Sequence, residues 1–142
     1  MPQVTLTEEC MRLISQFESL TGAGSRDCIV DNRNERIIFV INPGDMGLAI
    51  GKSGSSIKKA SDVMGKRIEV VEYSADPGQF LRNCFLPAQV TGIDFDTNEE
   101  DRQVALIEVR DEDRGLAIGK AGKNIFKAKV LAQRQHDIAD VQ

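Results

Sequence analysis

Apolar positions along the chain follow two spacings in turn. Leu6, Cys10, Met11, Leu13, Ile14, Phe17 and Leu20 recur at intervals of three and four, which predicts an amphipathic helix over Leu6–Leu20. β-rich runs at Arg26–Asp31 and Arg36–Ile41, parted by the turn Asn32-Arg33-Asn34, read as two strands. A short helix over Met46–Ile50 ends at a glycine. A further helix, with Ile57, Ala60, Val63 and Met64 on one face, stops at Gly65, and Lys66–Tyr73 alternates like a half-buried strand. The same order then recurs: a helix around Gln79–Leu86, strands around Gln89–Asp94 and over Gln103–Val109, a short helix over Arg114–Ile118, a helix carrying Ile125, Ala128, Leu131 and Ala132, and the apolar pattern Ile138, Ala139, Val141. Asp45 and Asp113, where the chain leaves a strand, are the expected caps of the two short helices.

The recurrence is in letters as well as pattern. Shifted by 68 positions, Asp45–Ala60 aligns with Asp113–Ala128, and eleven of the sixteen residues are identical, where composition alone gives about one. One structural unit is used twice. The expected architecture is α+β, in two units of about 1–75 and 76–142, each a three-stranded sheet with helices on one face. The connection near Ser74–Gly78, with Pro77 and Gly78, is too short for a flexible tether, so the units are expected to pack together and offer one surface.

Composition narrows the classes. No apolar run approaches the eighteen or so residues of a membrane span, the longest being Ile37–Ile41. The stretch Met1–Thr5 lacks the basic and apolar regions of a secretory signal, and a cytoplasmic location is expected. Cys10, Cys28 and Cys84 are widely spaced and form no Cys-x-x-Cys pair, which fits free thiols. With net charge −4 and pI about 5.1, the chain is unsuited to coating nucleic acid at random. The charge is nonetheless sorted: Gly44–Arg67 holds five basic and two acidic residues, whereas Ala88–Arg102 holds five acidic and one basic.

The repeated core joins two helices through Gly-Lys-x-Gly. Such a junction leaves the first N–H groups of the second helix unpaired, with the positive end of the helix dipole behind them, and the glycines let a sugar-phosphate backbone approach. Lys52 and Lys120 add a mobile charge at each tip. Lys59, Lys127 and Lys129 read as a solvated helix face, and Ile50 and Ile118, just before the loops, as core.

Ile-Gly-Lys-x-Gly, at Ile50–Gly54 and Ile118–Gly122, resembles the Gly-x-x-Gly loop of the KH domain, and the helix and strand before each core resemble its type II form. The compact tandem is similar to the archaeal NusA-like transcription factors over essentially the whole chain. The resemblance implies that each loop grips the backbone of about four nucleotides of single-stranded RNA while bases lie in an apolar groove beside the second helix. The implied contacts are Gly51, Lys52, Ser53 and Gly54 with Lys58, and Gly119, Lys120, Ala121 and Gly122 with Lys123. It further implies a role in transcription termination or antitermination, with RNA polymerase or the transcription complex as a second candidate partner. Bacterial NusA proteins carry an N-terminal polymerase-binding domain and a further domain that do not fit within this chain.

Enzymatic readings fail on spacing. The Gly51-Lys52-Ser53 end of a nucleotide-binding P-loop would need glycine where Met46 and Arg114 stand, and the second copy has Ala121 in place of Ser or Thr. His136, the only histidine, has no metal-ligand spacing around it and reads as a surface residue. No cofactor or metal is expected. Trp is absent and Tyr73 is the only tyrosine, so base recognition should use aliphatic contacts and hydrogen bonds. Two other roles share the scaffold: a KH protein of ribosome biogenesis, and a KH fold that binds protein instead of RNA.

Overall fold

Residues 4–142 are described by a computed structural model. Most of the stretch without a signal peptide pattern, Met1–Gln3, lies outside the described residues. The chain divides into two units, Thr5–Tyr73 and Ser74–Gln142 with Val4.

In the first unit, helix α1 (Glu8–Thr21) opens where the Thr7 side chain accepts from Cys10 N at 3.1 Å, two residues after the predicted start, because the threonine serves as cap and not as first turn. It closes at Gly22 in the left-handed region. Strand β1 (Ser25–Asp31) pairs antiparallel with β2 (Arg36–Ile41), and β3 (Arg67–Glu72) pairs with β2 in parallel, giving the order β1-β2-β3. Parallel pairing obliges the chain to cross over between β2 and β3. That crossover is α2 (Met46–Ile50), the glycine loop and α3 (Ser55–Met64). Phe17 of α1, Phe39 of β2 and Ala60 of α3 meet in the core, the two rings stacked at 4.3 Å. Each such large side chain contributes on the order of 1.5–3 kcal/mol by burial.

All six residues of β2 are buried, including Arg36 at 1% exposure. The charge is tolerated because the Arg36 Nε donates to Asp31 Oδ2 at 2.8 Å and Nη1 to Glu69 Oε2 at 3.1 Å, so one guanidinium ties β1, β2 and β3.

The second unit repeats the plan with α4 (Pro77–Phe85), β4 (Val90–Thr97), β5 (Gln103–Val109), α5 (Arg114–Ile118), α6 (Lys123–His136) and β6 (Asp140–Val141), in the sheet order β4-β5-β6. The α+β class and the two three-stranded sheets are those the pattern predicts. Details differ. Pro77 and Gly78, expected as connection, are the first turn of α4: Asp76 caps it by accepting from Gln79 N at 3.1 Å, and proline at the first helical position gives up only an N–H that has no partner there. β4 runs on to Thr97, past the predicted end, carrying Asp94 and Asp96 into an exposed acidic hairpin.

His136 is half-buried, not at the surface. Its ring packs on Phe80 at 5.3 Å, and Nε2 lies 2.8 Å from Ser74 O. Cys28 and Cys84 are buried free thiols. Burial pushes the Cys84 thiol up to about 12, and the Cys10 thiol donates to Cys28 O at 3.1 Å. Among the described residues no helix is long and apolar enough to cross a membrane.

Candidate nucleic-acid interface

Each short helix ends in the same backbone figure. Gly51 N–H donates to Gly47 O at 2.8 Å, and its φ of 76° with ψ of 173° turns the chain sharply outward. A side chain there would fail twice, since those dihedrals suit only glycine and a Cβ would stand 2.7 Å from the backbone nitrogen of Ser56. Lys52–Gly54 form a single 3-10 turn in which Ser53 takes φ 55° and Gly54 φ 77°. In the second copy Gly119 has φ 80° and ψ 163°, Ala121 φ 57° and Gly122 φ 74°. At the two glycines and the residue before the second one, the copies differ most at the first glycine, ψ 173° against 163°. Positions 53 and 121 thus share one left-handed conformation although one holds serine and the other alanine.

The donors are not those expected. Gly54 N–H donates back to Gly51 O at 3.1 Å and Ser55 N–H to Lys52 O, with Gly122 and Lys123 doing the same in the second loop. The turn therefore consumes two N–H groups that a bare helix start would leave open. Those at the tips, on Lys52 and Ser53 and on Lys120 and Ala121, have no acceptor among the described residues. Behind each tip stands the positive end of α3 or α6.

Asp45 and Asp113 are also redirected. Neither carboxylate caps its own helix. Asp45 Oδ2 accepts from Gly24 N at 3.0 Å and Asp113 Oδ2 from Gln89 N at 3.1 Å, in each case the residue just before the unit's first strand. The repeat thus uses an aspartate to pin the base of the loop to the sheet.

Lys52, Lys58 and Lys120 are exposed, and Lys123 is half-buried. Lys59 and Lys129 are exposed as expected, Lys129 with its ammonium 3.4 Å from Asp140 Oδ1. Lys127 departs from the expected solvated face: it is 7% exposed and close enough to Cys84 for its charge to oppose the burial that raises that thiol. Its long apolar stem makes that burial affordable.

Ile50 and Ile118 are 39% and 44% exposed, so they are not core. In helices of five residues only the small Ala49 and Ala117 are fully buried, while Leu48, Ile50, Leu116 and Ile118 are left outside. An apolar rim therefore borders each glycine loop. In the second unit it opens into a groove of about 210 Å³ between Ile107 and Val109 of β5, Ala117 and Ile118 of α5, and Ile125 of α6, with Arg114 at its edge. Sequence reasoning anticipated a groove beside the second helix but not these residues. The one available signal was the mismatch of Met46 and Arg114 inside an otherwise matching repeat.

Family models match both halves: one described as "KH domain" over residues 13–78, and one described as "NusA-like second KH domain" over 77–142. The "Probable transcription termination protein NusA" of Halobacterium salinarum is 38% identical over 139 residues, covering 98% of this chain and 97% of that protein. The chain belongs to the NusA family of tandem KH proteins. Another NusA of the same description, from Methanocaldococcus jannaschii, is 33% identical over 142 residues, 100% of this chain and 76% of that protein. The bacterial "Transcription termination/antitermination protein NusA" of Thermus thermophilus matches over 91 residues at 33% identity, only 23% of its own length. The crystal structure of APE1850 has a TM-score of 0.85 and 38% identity to this chain, covering 96% of it and 98% of that chain. The NusA likeness thus extends over both loops.

Proposed function

We propose that this chain binds single-stranded RNA and acts as a NusA-like transcription termination or antitermination factor in the cytoplasm, holding nascent RNA through both glycine loops. The observation that carries the reading is the close match of the two loops in backbone dihedrals at both glycines and at positions 53 and 121, which hold different side chains. A loop kept only as a helix cap would not need a lysine at the tip twice over. Gly51 and Gly119 set the sharp turn of each loop, Gly54 and Gly122 leave open space where a side chain would stand in the way of a phosphate, and Lys52 and Lys120 supply its counter-charge. Ser53, Gly54 and Lys58, with Ala121, Gly122 and Lys123, line its path, and a base enters the apolar groove beside the loop. The protein works by binding and positioning RNA, not by catalysis, with the transcription complex as the setting in which that RNA is met.

The test is fluorescence anisotropy with a randomised single-stranded RNA pool at two salt concentrations. The wild type should bind, more weakly at higher salt. Replacing Lys52-Ser53 and Lys120-Ala121 by Asp-Asp should abolish binding while the circular dichroism spectrum is retained. Equal binding by both proteins would overturn the reading.

A further inference from the structure

The two units match at the loop and differ at the groove. Position 46 holds methionine, which packs against the core of the first unit, while the corresponding position 114 holds arginine at the edge of the second unit's groove. Arg114 is exposed and makes no ion pair with any described residue. It follows directly on Asp111, Glu112 and Asp113. Glu112 is paired with Arg110 and Asp113 accepts from Gln89 N, yet this acidic stretch makes position 114 less suited to a phosphate than the lysine at the loop tip. The groove offers it a different ligand. Phe85, Ile107, Val109, Ala117, Ile118 and Ile125 make its walls, Arg114 and Gln142 are its polar lining residues, and its volume is about 210 Å³. It is smaller than the roughly 300–1,000 Å³ of pockets that take whole small molecules. A single flat base fits that description: its rings lie against aliphatic side chains and its edge meets the guanidinium.

We propose that Arg114 is a specificity-determining residue, selecting at the second unit's groove a base that presents two adjacent hydrogen-bond acceptors. A guanidinium donates through a rigid two-pronged fork, and its partner must accept at both prongs. Guanine does so through O6 and N7, and cytosine through O2 and N3. Adenine sets an amino donor beside N7, and uracil puts its N–H between its two carbonyls, so neither accepts the whole fork. The first unit, with Met46, has no such fork at the matching position and should contribute backbone grip without this choice.

The inference rests on the RNA-binding function proposed above, and its test keeps the two separable. The full chain is titrated with fluorescein-labelled single-stranded decamers that are identical except at one central position, carrying G, C, A or U. The wild type should bind the G or C decamer about five-fold or more tightly than the A and U decamers, the lower end of what a bidentate arginine–base contact discriminates. Arg114→Met, which copies the first unit, should erase the preference, bringing the four decamers within about two-fold of one another. Arg114→Lys keeps the charge but loses the fork and should behave the same way. Salt-dependent binding with no base preference in the wild type, or a preference that survives in Arg114→Met, would overturn the assignment of Arg114 and leave the loops as the RNA site. A wild type that binds none of the decamers would overturn both.

Discussion

At the scale of single residues, the first glycine of each loop is under a stricter constraint than the last. Gly51 combines dihedrals of φ 76° and ψ 173° with a Cβ position 2.7 Å from Ser56 N, whereas Gly54, at φ 77° and ψ 13°, has open space around its Cβ position out to Ile57 at 4.0 Å. Gly51→Ala should therefore destabilise the first unit by about 1–3 kcal/mol, the range of a residue held in a sparsely populated backbone region, with a steric clash added. Gly54→Asn, whose side chain tolerates the left-handed region, should cost less than about 1 kcal/mol. Equilibrium urea unfolding of the two variants checks the order, and equal losses would mean that the loop relaxes around the first glycine. The importance of these positions was legible in the sequence because the motif occurs twice. What Asp45 and Asp113 do was not. Their partners, Gly24 and Gln89, are 21 and 24 residues upstream, and no local pattern announces a bond to a backbone N–H that only the assembled sheet brings near.

At the scale of elements, the helices and strands could be read from periodicity because each buries one face, and the signal weakened where that condition failed. β6 is two residues long and α5 is five, too short for a period to repeat. The short helices consequently looked like core where they are rim. Lys127 failed for a related reason: its identity suggests solvent, while its place on α6 turns it toward α4. The buried tie of β1, β2 and β3 through Arg36 is likewise a property of the sheet and not of any one strand. Arg36→Met should cost about 3–5 kcal/mol in urea unfolding, because Asp31 and Glu69 would lose the guanidinium that offsets their burial. Burial by itself would raise the Asp31 carboxyl, but hydrogen bonds from Asn34 and Arg36 and the charge of Arg36 outweigh it and hold the group below its usual range. A carboxyl depressed in the folded state contributes stability that is fully present above its unfolded value, near 3.9, and lost as pH falls through the folded value. The stability difference between the wild type and Asp31→Asn should accordingly be constant near neutrality and shrink below about pH 4. A difference unchanged down to pH 2 would show that the carboxyl contributes no charge-dependent stability.

For the whole molecule the governing quantity is a net charge of −4 carried by a chain whose proposed ligand is a polyanion. Such a protein cannot rely on its overall field and must concentrate attraction at the loops. The consequence is quantitative. Each single-strand phosphate neutralised releases counterions worth a slope of about −0.7 in log K against log salt. If Lys52 and Lys120 each neutralise one phosphate, then Lys52→Ala and Lys120→Ala should each make the slope shallower by about 0.7, and the double variant by about 1.4, since the two charges act on separate phosphates. The exposed acidic hairpin supplies the control. Glu99→Gln with Glu100→Gln removes two negative charges far in sequence from either loop and should change the association rate at low salt while leaving the slope intact. Anisotropy titrations across a four-fold range of potassium chloride distinguish the possibilities. A slope that responds to the hairpin as strongly as to the loop lysines would mean that RNA is held by the diffuse field of the protein, and the twin loops would lose their claim to be the site.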